Sequence, residues 1–239
     1  MWFDHGAKMN SESLNNLFER KKLPEINNDD SILYQYYTYQ CKELREYNIQ
    51  TIKLEEFLEI IKKSENLELL INNINSIKKE FIFNSKKHGY THIERVTLFS
   101  YFLAINNNLT TRDTQLLLYA AMYHDIGRID DSMDQYHGLR SANKLDQLEL
   151  NVTPEELNIL KTIITCHSIP DEWFEEVAQE NNILDFDRTR KLFNILKDAD
   201  GLDRVRLGCP HVALDFLRCE TSKKMIPLAY QLINFYNNK

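Results

Sequence analysis

The sequence has only six glycines and five prolines in 239 residues, too few for the turn density of an all-β sandwich or barrel. Its four cysteines, Cys41, Cys166, Cys209 and Cys219, form no CxxC pair, which removes zinc-ribbon and thioredoxin-like motifs. Reduced, mostly buried thiols are expected. No apolar run approaches the length of a membrane span, and Met1, Trp2, Phe3, Asp4 and His5 open the chain without a basic or apolar leader. A cytoplasmic protein with no membrane association is the expectation. Positive charge is in deficit, with 29 Lys and Arg against 36 Asp and Glu and a net charge of −7. A broad nucleic-acid surface needs clustered bases, so none is expected. A small phosphorylated ligand is not excluded, because a metal or a few arginines suffice to bind it. Strand-like alternation of useful length and internal repeats are also missing.

What is present is helical. Residues 1–30 are polar, with a turn or helix start at Asn27, Asn28, Asp29 and Asp30 and a plausible N-cap at Ser31. Leu54, Phe57, Leu58 and Ile61 repeat at i, i+3, i+4 and i+7, and Leu67, Leu70, Ile71, Ile74 and Ile77 continue the stripe. Tyr34, Tyr36, Tyr37 and Tyr39 read as packing residues before they read as a base-stacking surface. Thr110 with Asp113 forms a capping-box-like start. Thr153, Pro154, Glu155 and Glu156 combine an N-cap, a proline at N1 and acids in the first turn. Asn106 to Asn108, Asn237 and Asn238 read as loops or ends. With 43% hydrophobic residues the chain can bury a sizeable core.

Five of the seven histidines fall between 88 and 167. His92 precedes Val96, Phe99 and Leu103 by four, seven and eleven residues, which puts it on the apolar face of its helix. His124 and Asp125 end the next helix, phased with Leu117, Leu118 and Ala121 just before Gly127. His167 follows Leu160 and Ile164 by seven and three residues and also faces inward. His137 begins a segment backed by Ala142, Leu145 and Leu148. Burying so many imidazoles and acids without partners is costly. A divalent ion resolves the cost, since neutral imidazole and carboxylate are its natural ligands. For His137 a helix-start residue bonded to backbone is the competing reading.

The segments HGYTHIERV (88–96), YHDIGR (123–128), HGLRSA (137–142), IITCHS (163–168) and LKDADGLDRVRLG (196–208) resemble the HD superfamily in residue type, order and spacing. The resemblance implies an all-α, helical HD-domain bundle. Residues 84–239 would form the metal-binding catalytic domain, and residues 1–83 a helical extension without a recognisable role. It implies metal ligands His92, His124, Asp125 and an aspartate of the last segment. The family pattern favours Asp200, with Asp198 next, and helical phase does not separate them; Asp203 lies nearer the middle of the apolar face. His137 and His167 match the extra histidines of two-metal members, in which Asp125 would bridge the ions. One or two divalent ions per chain are thus expected, of Mn, Fe, Mg, Co, Ni or Zn type. Residues 1–80 offer only His5 as a ligand, so all metal binding should reside in 84–239.

Arginine suits phosphate because its planar fork gives paired hydrogen bonds. Arg128 stands where related enzymes carry a base facing phosphate, Arg140 and Ser141 lie in HGLRSA, and Arg204 and Arg206 lie towards the end of the last segment. Arg128, Arg140, Ser141 and Arg204 are the candidate substrate contacts. For Arg204 a salt bridge to the site's own acids is an equal reading, and Arg95 reads as a structural partner. Asp125, Arg128 and His88 are the candidate catalytic residues, His88 as an outer-shell proton donor or a helix-start cap. The implied reaction is hydrolysis of a nucleotide or related phosphate ester by water activated at the metal. Two alternatives accompany it: an HD-type di-iron oxygenase, and a non-catalytic nucleotide sensor or interaction protein.

Overall fold

The computed structural model describes residues 9–20, 26, 32–207 and 212–237. The expected turn at Asn27–Asp30, the Ser31 cap, Asn238 and the residues His5, Cys209 and His211 lie outside them. Among the described residues there is no strand, and twelve α-helices with five short 3-10 turns make up the regular structure. They are α1 (Glu12–Glu19), α2 (Ile32–Glu46), α3 (Leu54–Lys62), α4 (Leu67–Asn75), α5 (Tyr90–Asn106), α6 (Thr111–Tyr123), α7 (His137–Lys144), α8 (Pro154–His167), α9 (Phe174–Glu180), α10 (Phe186–Asp203), α11 (Glu220–Lys224) and α12 (Ile226–Asn237). No described helix is long and apolar enough to cross a membrane.

The helix starts follow the local sequence. Thr153 accepts a hydrogen bond from the Glu156 backbone, the Glu156 side chain returns one to the Thr153 backbone, and Pro154 opens α8. Thr110 caps α6 through the Asp113 N–H. Such caps stabilise by roughly 0.5–2 kcal/mol each.

Four helices, α5, α6, α8 and α10, pack on one another, and α7 lies along α8. Every residue of α5 from His92 to Ala104 is buried, as expected of a helix surrounded on all sides. α3 and α4 pack against α5, α4 also against α6, and α2 against α12, which in turn meets α10. One continuous apolar core therefore runs from Met9 to Phe235. The described residues of 1–83 are joined to those of 84–239 through that core.

Two glycines set the approach of α7. A Cβ on Gly138 would lie 2.6 Å from the Ile164 carbonyl oxygen and 2.8 Å from that of Thr165. One on Gly127 would lie 2.3 Å from the His137 carbonyl oxygen and 2.4 Å from the Ser141 nitrogen. These contacts draw the start of α7 against both the end of α8 and the turn after α6. Of the described cysteines, Cys166 is buried, Cys41 and Cys219 are half-buried, and all three are free thiols.

Candidate metal centre

The helix ends deliver the histidines. His92 sits in the first turn of α5, His124 caps the C-terminus of α6, His137 opens α7 and His167 closes α8. All four are buried. Each gives one ring nitrogen to the protein. His92 Nδ1 meets Asp203 Oδ2 at 2.7 Å and His124 Nδ1 meets the Ala121 carbonyl at 2.8 Å. His137 Nδ1 bonds the Asp134 carbonyl, and His167 Nδ1 the Ile164 carbonyl. With the Nδ1 proton committed, every Nε2 carries a lone pair, and such outer partners orient metal-ligating imidazoles. The backbone bond expected as the competing role of His137 is thus present, and it aims Nε2 at the site.

The free nitrogens gather in two pairs on either side of one carboxylate. His92 Nε2 and His124 Nε2 are 3.1 Å apart, and His92 Nε2 is 3.5 Å from both Asp125 Oδ2 and Asp200 Oδ1. His124 Nε2 is 3.8 Å from Asp125 Oδ2 and 3.9 Å from Asp200 Oδ1. On the other side His137 Nε2 and His167 Nε2 are 2.9 Å apart, and they lie 3.0 and 3.5 Å from Asp125 Oδ1. Oδ1 is buried and lacks a hydrogen-bond partner. Paired imidazole lone pairs facing an orphaned carboxylate oxygen would be costly for a metal-free core, whereas they fit divalent ions with nitrogen and oxygen ligands. Three groups bring one ligand atom each within 4.8 Å of one another: His92, His124 and Asp200; His124, Asp125 and His167; and His88, His92 and Asp125.

Protonation states agree with ligation. Burial holds His124 down to about 3, and it lowers His88 and His167 as well. Burial alone would raise Asp125, but the surrounding histidines, His124 first, outweigh it and hold the carboxyl well below its usual range. Asp200 is likewise lowered against its burial, chiefly by Arg206 and then His92. At neutral pH these histidines are neutral and the acids ionised.

The three acids of α10 separate by partner. Asp200 faces the His92–His124 pair and keeps about a fifth of its side chain open to solvent, at 22%. Asp198 turns away, accepting from the backbone nitrogens of Arg218 (2.9 Å) and Cys219 (2.7 Å) and from Arg218 Nη1 (3.1 Å). Asp203 takes Arg95 Nε and Nη2 at 2.6 and 3.0 Å along with His92. Arg95 is therefore a structural partner, and Asp203 is an outer-shell residue that periodicity had marked only as inward. Arg206 is the other omission: it reaches His88 Nδ1 at 3.1 Å and lies 3.8 Å from Asp200 Oδ1. Its signal was present, since it shares the last segment with Asp203.

The expected substrate contacts divide. Arg128 lies inside the site, with Nε 2.9 Å from Asp125 Oδ2 and Nη2 3.4 Å from His137 Nε2. Arg140 and Ser141 brace the turn after α6. Arg140 donates to the Gly127 carbonyl at 2.9 Å and to Asp134. Ser141 Oγ is fully buried and accepts from Gly127 N–H at 2.8 Å. Both are spent on a tight turn whose backbone groups need partners. Arg204 is exposed at the rim of a cleft of about 390 Å³, also lined by His167, Lys197, Asp200, Phe216 and Arg218. Among the described residues it has no ion-pair partner, so the salt-bridge alternative is not realised there. His88, buried 3.2 Å from Asp125 Oδ2 and beside Arg206, sits outside the ligand pairs.

An all-α bundle that collects a histidine, a His-Asp step, two further histidines and an aspartate around one carboxylate defines a class of metal-site protein. Residues 89–205 match the HD domain family. The chain belongs to the HD superfamily through this domain. No curated protein and no solved structure matches the chain.

Proposed function

We propose that the protein is a metal-dependent phosphohydrolase acting on a small phosphate ester, a nucleotide by preference. The observation that carries this reading is the split of Asp125, with one oxygen facing His92 and His124 and the other facing His137 and His167. Asp200 completes the first set at the floor of an open cleft. His92, His124, Asp125 and Asp200 would hold one ion, and His137, His167 and Asp125 a second. Bound there, divalent ions supply Lewis acidity toward phosphoryl oxygens and make water a competent nucleophile near neutral pH.

The chain's own groups do the remainder. Asp125 fixes the distance between the two sets. Arg128, already donating to Asp125, stands ready to offset charge on the phosphoryl oxygens, and Arg204 meets the phosphate from the rim. His88, whose Nδ1 stands 3.2 Å from Asp125 Oδ2 and 3.1 Å from Arg206 Nη2, would position Asp125. Arg204 at an open cleft favours an anionic ester over the oxygenase alternative, whose ligands would be the same.

The test is a screen of the full chain, loaded separately with Mn, Fe, Co, Ni, Mg and Zn, against nucleoside mono-, di- and triphosphates, cyclic nucleotides and simple phosphate esters. Phosphate release that disappears in His124→Ala and Asp125→Ala, with helix content nearly unchanged, is expected. Wild-type turnover in either variant would overturn the site. Oxygen consumption by the iron-loaded protein without any ester cleavage would favour the oxygenase.

A further inference from the structure

We infer that Phe216 is the platform of a planar-ring subsite, so that the cleft selects phosphate esters carrying a nucleobase over those that lack one. This rests on the phosphohydrolase reading for the phosphate end of the ligand. A single exposed phenylalanine needs no explanation in general. The mount of this one does. Phe216 is 74% exposed and lines the same cleft as Asp200, His167 and Arg204. It belongs to a short 3-10 turn, Leu214–Phe216, on the surface.

That turn is held by groups usually kept for cores. Asp198, with no solvent exposure, accepts from the backbone nitrogens of Arg218 and Cys219 just beyond it. Arg218 Nη1 donates to the Phe216 carbonyl at 2.6 Å, while its other nitrogens grip Asp171 at 2.7 Å. Leu217, the next residue, is buried. A carboxylate and a guanidinium are thus committed to fixing the backbone beneath an exposed aromatic. A backbone held in this way loses little freedom when a ligand arrives.

The rest of the cleft has the matching chemistry. Lys197 donates to the carbonyls of Cys166 and Ile169 and to Asp171, so its ammonium is already satisfied. Arg218 is neutralised by Asp171 and Asp198. Arg204, one helical turn past Asp200, is left as the cation free for a ligand. One end of the cleft therefore takes phosphate at Asp200, His167 and Arg204, and the other offers a ring face. The volume is near the low end of the roughly 300–1,000 Å³ usual for small-molecule sites, which suits a mononucleotide rather than a polymer. Stacking on an aromatic tolerates any base and is worth roughly ten-fold in affinity or more.

The experiment measures binding to the manganese-loaded full chain by calorimetry. The probes are inorganic phosphate, ribose 5-methylenephosphonate and the methylenephosphonate analogues of the four common ribonucleoside monophosphates, whose P–C bond resists hydrolysis. At least one nucleoside analogue should bind about ten-fold tighter than the ribose analogue. Phe216→Ala should erase that advantage and leave the ribose analogue within about two-fold, while Phe216→Trp should keep it. Equal binding of ribose and all nucleoside probes, or an advantage untouched in Phe216→Ala, would overturn the platform. Nucleoside binding that depends on Phe216 without any binding of inorganic phosphate or the ribose analogue would spare the platform and overturn the phosphohydrolase reading.

Discussion

His92 and His124 each spend one ring nitrogen on the protein and present the other to Asp125 and Asp200, and the same division recurs at His137 and His167. At His92 the partner is a side chain, Asp203, whose buried carboxylate holds both the His92 ring and the Arg95 guanidinium. An amide cannot accept from both while keeping its NH2 away from them. Asp203→Asn should lower stability by about 3–5 kcal/mol, as for other broken buried ion pairs, and weaken metal binding by roughly 10–100-fold. Urea unfolding and a metal titration check this; an unchanged midpoint and affinity would remove Asp203 from the outer shell. The histidines also set a pH response in the metal-free protein. His124 drops from an ordinary 6.5 to about 3 on folding, with His88 and His167 lowered in the same direction by burial. The unfolded chain therefore binds protons that the folded chain refuses, and stability falls as pH drops below 6.5 toward 3. Asp203, lowered from 3.8 to about 2, adds a loss only below 3.8. The urea midpoint of chelator-treated protein should be level above about pH 7 and decline well before about pH 5. A midpoint unchanged down to that pH would show that the imidazoles are not buried neutral.

At the scale of the helix, the second histidine pair depends on how closely α7 lies on α8. Gly138 permits that contact, since a methyl there would meet the Ile164 carbonyl and Ser168 Oγ, each at 2.6 Å. Gly138→Ala should move the start of α7, part His137 from His167 and lower metal content by about one ion per chain, with the first ligand set intact. Elemental analysis reads this directly, and an unaltered content would mean that α7 does not position a ligand. Much of this level was legible in the sequence. The Thr153–Glu156 cap, the Thr110 cap, the His-Asp step at the end of α6 and the inward phase of His92 and His167 are local features with local causes. The division among Asp198, Asp200 and Asp203 was not. All three lie near the buried side of α10, and their roles come from partners distant in sequence: Arg218 and Cys219 for Asp198, and Arg95 and His92 for Asp203. The bonds of Arg140 and Ser141 to the Gly127 turn were illegible for the same reason, because a motif gives proximity to the site and not the direction a side chain takes.

Across the whole molecule, the apolar core passes from α1 to α12 without a break at residue 83. α3 and α4 cover α5 and α6, the helices that carry His92 and His124. All the candidate ligands lie in 84–239, yet a fragment of those residues would expose the faces that α2, α3 and α4 bury. It should aggregate or bind hydrophobic dyes and lack a cooperative melting transition; a soluble fragment melting like the full chain would mean that the two segments are energetically separate. In the proposed metal centre Asp125 joins two separable ligand sets in the intact chain. The most direct test is metal content by elemental analysis after dialysis, comparing wild type with the His137→Ala/His167→Ala double variant. About two ions per chain falling to about one is the predicted result, as for ligand sets sharing one carboxylate, and equal content in the two proteins would contradict the account.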